Sequence, residues 1–153
     1  MYKVFEPIFD KNSKILILGS FPSVISRETG FYYGNKKNRF WNVLSKIFSE
    51  KIGDETEEKK KFLKEHKIAL WDIVYECEIK GSLDNNLKCL KVSDLNRILN
   101  VAKIEKIICN GKKAYQIFSK HYKSLAQICL VLPSTSPANI KFDFELWKQA
   151  LIN

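Results

Sequence analysis

The chain has 153 residues, 45% of them hydrophobic and 12% aromatic. That composition excludes disorder and fits one domain, residues 1–153, with a substantial core. Its 26 Lys and Arg against 17 Asp and Glu give a net charge of +9, which points to a polyanionic partner, nucleic acid or an anionic membrane surface.

In chain order, Ile15-Leu16-Ile17-Leu18 is a short apolar run of the kind expected for a strand buried on both faces. A loop, Gly19-Ser20-Phe21-Pro22-Ser23, leaves it. The run Tyr32-Tyr33-Gly34-Asn35-Lys36-Lys37-Asn38-Arg39 then leads into a helical stripe of Phe40, Trp41, Leu44, Ile47 and Phe48, with Asn35 or Asn38 as its cap. A turn over Gly53–Glu57 precedes a charged helix anchored by Phe62 and Leu63. Ile68–Val74 reads as a strand running into a helical turn, and Glu76–Lys91 as mostly irregular.

Leu95, Ile98, Leu99 and Ala102 recur at helical spacing behind Ser93 as a cap. Lys106–Cys109 is a strand, Asn110-Gly111 its turn, and Lys112 to about His121 a helix. Ile128–Leu132 is a further buried strand stopped by Pro133, and Leu146, Trp147, Ala150 and Leu151 mark a last helix. Strands alternating with helices imply a parallel sheet covered on both faces. Ligands bind such sheets beyond the carboxyl ends of the strands, so the loops at 19–23, 110–111 and 133–139 converge on the expected site.

Familiar catalytic templates are missing. Neither His66 nor His121 falls in a converging loop. No Walker sequence and no G-x-S-x-G elbow occurs. Cys77, Cys89, Cys109 and Cys129 form no C-x-x-C pair, and no carboxylate cluster suits a metal, so neither metal nor cofactor is expected. The dispersed cysteines and the lack of a signal peptide fit a reduced, cytoplasmic setting. No apolar run approaches the roughly 20 residues of a membrane span, so a membrane is not the expected partner. Cations do cluster: Thr29–Ser49 holds Lys36, Lys37, Arg39 and Lys46 without an acid, and Asn110–Tyr122 holds Lys112, Lys113 and Lys120 without one. That distribution favours nucleic acid.

Gly19-Ser20-Phe21-Pro22-Ser23, Tyr32-Tyr33 followed by Asn38-Arg39-Phe40-Trp41, Gly81-Ser82-Leu83-Asp84, Asn110-Gly111 and Leu132-Pro133-Ser134-Thr135-Ser136-Pro137-Ala138-Asn139 stand in one order along nearly the whole chain. In that order they resemble the uracil-DNA glycosylase superfamily, and within it the hypoxanthine-DNA glycosylase branch. The resemblance implies a three-layer α/β/α sandwich with a four-stranded parallel central sheet. It also implies a monomeric enzyme that flips a deaminated base out of DNA and hydrolyses its N-glycosidic bond, as in base-excision repair. Where other branches carry Asn or Asp in the first loop, this chain has Phe21; where the uracil enzymes have His-Pro-Ser, it has Leu132-Pro133-Ser134.

By the same resemblance Asn38 is the catalytic residue, and Tyr33, five residues earlier, stacks on the extruded base, with Tyr32 as the alternative. An amide holds and orients water without deprotonating it. Ser20, Phe21, Pro22, Ser23, Asn110 and Ser134 are the expected base-side contacts, supplying donors for the departing anion. Lys36, Lys37, Arg39, Lys112, Lys113, Ser136 and Asn139 are expected on the DNA backbone, with the last loop inserting a wedge into the vacated stack. Against these roles stand plainer ones: Asn38 as a helix cap, Ser134–Ser136 as turn residues, Asp72 and Asp84 as caps or local acceptors. The competing functions are excision of uracil or mispaired thymine on the same fold, and a non-catalytic DNA-binding module.

Overall fold

The computed structural model describes residues 4–79 and 87–152; Gly81–Asp84 therefore lies outside the described residues. Four strands form the central sheet: β1 (Ile15–Gly19), β2 (Ile68–Asp72), β5 (Lys106–Asn110) and β6 (Cys129–Leu132). Their order is β2-β1-β5-β6, with every pairing parallel. The chain moves outward from β1 to β2, then crosses back past β1 to β5 and on to β6. Right-handed connections made in opposite directions carry their helices to opposite faces. One face receives α2 (Phe40–Phe48) and α3 (Thr56–Glu65), the other α5 (Lys112–His121). The last helix, α6 (Phe144–Ile152), packs on α2, where Trp147 meets Phe40 edge to face. The expected three-layer sandwich with four parallel strands is the fold observed.

The core follows from the strand sequences. Leu16, Ile17 and Leu18 of β1 and Ile107, Ile108 and Cys109 of β5 are buried, as central parallel strands with helices on both faces require. Strand β6 departs from the expectation of a buried strand: it is the sheet edge, and Leu130 and Val131 are exposed. Its apolar run signals β structure rather than depth.

Two further expectations need correction. The stretch from Glu76 to Lys91 is not irregular: β3 (Val74–Ile79) and β4 (Leu87–Val92) pair antiparallel as a separate two-stranded sheet. Ile68–Val74 accordingly holds no helical turn; β2 passes through Ile73 directly into β3. The second correction concerns Ser93. It does not cap a helix running to Ala102. The helix α4 is only Asn96–Leu99, and the buried Ser93 hydroxyl donates to the Asp72 carbonyl at 2.6 Å, pinning the end of β4 to the end of β2.

Of the histidines, His121 is the last residue of α5. His66 caps the C-terminus of α3, with Nε2 3.1 Å from Glu50 Oε1. Both lie away from the carboxyl ends of the strands, as the sequence suggested.

Candidate active site

The strand order reverses between β1 and β5, and the crevice at such a switch point is where open α/β sheets bind ligands. A cavity of about 180 Å³ lies there, walled by Gly19 to Ser23 after β1, Tyr33, Asn35 and Asn38 ahead of α2, Asp72 at the end of β2, Asn110 at the end of β5, and Ser134 to Pro137 after β6. The three loops expected to converge do so. Ser20, Phe21, Pro22, Ser23, Tyr33, Asn38, Asn110, Ser134 and Ser136 all reach its wall.

The first loop is held from within. Ser23 is the N-cap of α1 (Val24–Thr29): its Oγ accepts from Ser26 N and donates to Ser26 Oγ. Ser26 Oγ accepts in turn from Gly34 N at 2.9 Å, which ties the first loop to the tyrosine-rich run. Phe21 is 5% exposed, with the Arg27 guanidinium over its ring at 5.5 Å. A buried phenyl group offers the cavity shape and apolar surface, not an acid or amide for water.

Of the two tyrosines, Tyr32 belongs to the core. It is 2% exposed, its hydroxyl donates to the Glu6 carbonyl at 2.7 Å, and its carbonyl accepts from Trp41 Nε1. Tyr33 adopts φ 52°, in the left-handed region that side chains other than glycine rarely occupy. That conformation turns its ring toward the cavity, where Phe40 stacks on it at 4.0 Å and Asn110 Nδ2 donates to its hydroxyl at 3.2 Å. Strain of this sort persists only where the surroundings fix it, and it gathers at functional sites. Burial first, then the nearby Asp72 charge, pushes the phenol pKa of Tyr33 well above the ordinary tyrosine value. It stays a neutral phenol.

Asn38 does not cap α2 through N-cap geometry; the N-cap is Arg39. Its Oδ1 instead accepts from Phe40 N at 2.9 Å in a tight turn just before the helix. The side chain also borders a second, wider cavity of about 420 Å³ lined by Lys36, Lys51, Lys59 and other polar groups. It thus stands between the smaller cavity and the wider, polar one.

Asn110 is the hub of the site. Its Oδ1 accepts from Thr135 N and its Nδ2 donates to Thr135 Oγ1, both at 3.0 Å, besides the bond to Tyr33. With both amide hydrogens committed, it organises the wall rather than offering a donor to a base. Asn139 is bonded within its own loop, with Nδ2 donating one hydrogen to the Ser134 carbonyl and Oδ1 accepting from Lys141 N. Lys36, Lys37 and Lys112 are exposed around the site, Lys113 is half-buried, and none of the four lines the switch-point cavity.

Arg39 is turned inward to the last loop, donating from Nη1 to the Ser136 carbonyl at 2.8 Å. Sequence reasoning gave Asp72 only the role of a cap or local acceptor and Thr135 that of a turn residue in the last loop; both are buried and both are in the wall. A signal for Asp72 existed: it is the first charge after the apolar run Ile68–Trp71, at the carboxyl end of a parallel strand. Among the described residues, no group of His, Cys, Asp and Glu could hold a metal ion, and no helix is long and apolar enough to cross a membrane.

Comparison with known proteins agrees with this geometry. The family model of the uracil DNA glycosylase superfamily matches residues 6–152. A hypoxanthine DNA glycosylase of Methanosarcina acetivorans is 35% identical over 140 residues, covering 90% of this chain and 88% of the relative. One from Methanosarcina barkeri is 30% identical over 137 residues, covering 88% and 86%. The solution NMR structure of a candidate uracil DNA glycosylase from Methanosarcina acetivorans superposes with a TM-score of 0.84 at 32% identity, covering 97% of this chain and 95% of the other. The switch-point cavity, the parallel sheet beneath it and these matches along nearly the whole length lead to one conclusion: the chain belongs to the uracil DNA glycosylase superfamily.

Proposed function

We propose that this DNA glycosylase removes hypoxanthine from DNA, hydrolysing the bond between C1′ and N9 of an extruded deoxyinosine. The observation that carries the reading is the meeting of Asn38, Tyr33 and the buried Asp72 in one cavity. Hypoxanthine presents an N1–H beside its 6-oxo group, whereas adenine has a bare N1 lone pair there. The negative charge of Asp72 in the wall favours the former and repels the latter. The two curated relatives carry the name of the same activity.

In this mechanism the C1′–N9 electron pair leaves with the base and positive charge develops on the sugar. Asn38 holds a water beside C1′, drawn from the wider cavity it also borders. The water oxygen bonds C1′, and its proton ends on the departing base. Orientation of this kind supplies much of the rate when no strong base is present. Backbone donors of the Ser20–Ser23 loop face the developing anion. Phe21 fills the place from which other branches activate water, which disfavours uracil excision by that route.

The test is a set of duplexes bearing one inosine, uracil, xanthine or no lesion, incubated with protein and then treated with alkali. Strand breakage fastest at inosine is expected. Breakage only at uracil would favour the uracil-directed alternative. Lesion binding without breakage anywhere would indicate a non-catalytic binding module.

A further inference from the structure

We propose that Arg39 is a positioning residue that fixes the Asn38 turn against the last loop, rather than a contact to the DNA backbone. The inference rests on the glycosylase reading above and names how its water-holding residue is aimed.

Arg39 follows Asn38 directly and joins the 135–136 segment by two bonds. Its backbone N–H donates to the Thr135 carbonyl at 3.0 Å, and its Nη1 donates to the Ser136 carbonyl at 2.8 Å across 97 residues of sequence. The guanidinium lies over the Phe142 ring at 5.1 Å. One donor is therefore spent on the protein and the ring shields a face of the cation, an arrangement suited to holding a loop.

The anchor itself is rigid. Thr135 is fully buried, and its backbone N–H and hydroxyl are both held by Asn110. Asn110 also donates to the Tyr33 hydroxyl. The segment from Tyr33 to Arg39 is thus fastened at both ends to Thr135, through Asn110 at one end and directly by the Arg39 backbone N–H at the other. Asn38 sits inside that closed ring, and its own Oδ1 bonds Phe40 N, one residue past the clamp. Truncating Arg39 keeps its backbone bond to Thr135 but removes the side-chain tie to Ser136, which loosens the last loop against the Asn38 turn and shifts the amide that places the water, while the surface lysines remain in position.

Three variants separate clamp from phosphate contact. Gln at 39 keeps an N–H donor but no charge; Lys keeps the charge without the planar fork; Ala keeps neither. If Arg39 is a clamp, Arg39→Ala lowers the single-turnover excision rate at saturating protein by about 10- to 100-fold. Arg39→Gln recovers most of it, and Arg39→Lys recovers less than Gln. The salt dependence of lesion-duplex binding keeps its slope in all three. A phosphate contact predicts the reverse: Gln and Ala behave alike, Lys is the rescuing variant, and the slope falls by about one in the neutral variants.

Hydrogen exchange of the free protein gives a readout independent of the reaction. Amides of the Thr135–Asn139 segment exchange faster in Arg39→Ala than in Arg39→Gln if the clamp exists, and equally if it does not. An unfolded Arg39→Ala variant, shown by its melting curve, leaves the Gln and Lys variants to decide. A wild-type protein that releases no base from any lesion overturns the glycosylase reading, while the exchange result still decides whether Arg39 holds the loop.

Discussion

Gly19 and Asp72 face each other across the β1–β2 pair, so closely that a Cβ on Gly19 would stand 2.5 Å from Asp72 Oδ1 and 3.0 Å from the Tyr33 hydroxyl. The glycine makes room for a carboxylate and a phenol in the same wall. Gly19→Ala must displace one of them. Because Asp72 belongs to a buried strand end and Tyr33 is held by Phe40 and Asn110, neither yields without strain. Overpacking of this kind costs about 1–3 kcal/mol. Urea unfolding should show that loss, and base release should fall by more than the fraction unfolded explains. A variant with unaltered stability and rate would contradict the close approach.

Asp72 is the second test. If its carboxylate accepts from N1–H of hypoxanthine, Asp72→Ala loses a charge-assisted bond worth about 1.5–3 kcal/mol, roughly 10- to 150-fold in inosine excision. Asp72→Asn is the more telling change. Its amide can donate to the bare N1 of adenine, so the ratio of inosine to deoxyadenosine excision narrows. Single-turnover rates on the two duplexes measure this directly. An equal fall on both bases would remove Asp72 from base reading and leave it a structural role.

Asn38 differs in what it should leave intact. Asn38→Ala removes the water-holding amide and its bond to Phe40 N, yet leaves the cations and the Asn110 hub in place. Excision at saturating protein should drop about 100-fold, while lesion-duplex affinity and its salt dependence stay close to the wild type. Full excision by this variant would transfer the water to another group.

How these residues could be read beforehand differs from case to case. Leu16–Leu18 announced a buried parallel strand because burial on both faces leaves an unbroken apolar run. Asn38 carried a local signal, an amide just before a helical stripe. Asp72 carried one that looked merely local, a polar stop after Ile68–Trp71; its approach to Gly19 arises from strand pairing across more than fifty intervening residues. The same holds for Asn110, whose amide reads as a turn residue until Thr135 and Tyr33 are brought to it. The β3–β4 hairpin escaped notice because Leu87-Lys88-Cys89-Leu90-Lys91-Val92 lacks strict alternation and its partner strand carries two glutamates. Segments betray their own secondary structure; the wall of a site is made of long-range pairs.

Tyr32 and Tyr33 give a prediction in pH. Burial first, then the charge of Asp72, raises the pKa of both above the ordinary tyrosine value. In the unfolded chain each ionises near 10, whereas in the native state neither does, so above that pH the unfolded state binds fewer protons. Stability contributed by the neutral phenols is complete below about pH 10 and falls as pH rises beyond it, by about 1.4 kcal/mol per pH unit for each tyrosine. Urea unfolding between pH 9 and 11 should show this alkaline decline. Tyr32→Phe and Tyr33→Phe should each flatten it, though Tyr32→Phe also forfeits the bond to Glu6. An unchanged slope in both variants would place the alkaline transition elsewhere.

The last prediction concerns the wedge expected from the last loop. Asn139 N donates to the Ser136 carbonyl and Lys141 N donates to Asn139 Oδ1, forming a tight turn that leaves Ile140 projecting at 91% exposure. An isoleucine so exposed gains nothing for the fold, and it stands three residues beyond Pro137 at the cavity wall. Apolar side chains inserted between base steps hold an unstacked duplex open. Ile140→Ala should therefore leave folding unaltered and lower inosine excision from duplex DNA by about tenfold, the loss of one large apolar contact. On single-stranded DNA, where there is no stack to fill, the variant should match the wild type. 2-Aminopurine placed next to the lesion reports the same step by its fluorescence, which rises on unstacking in the wild type and less in the variant. Equal losses on single and double strands would mean that Ile140 contacts the substrate in some way other than as a wedge.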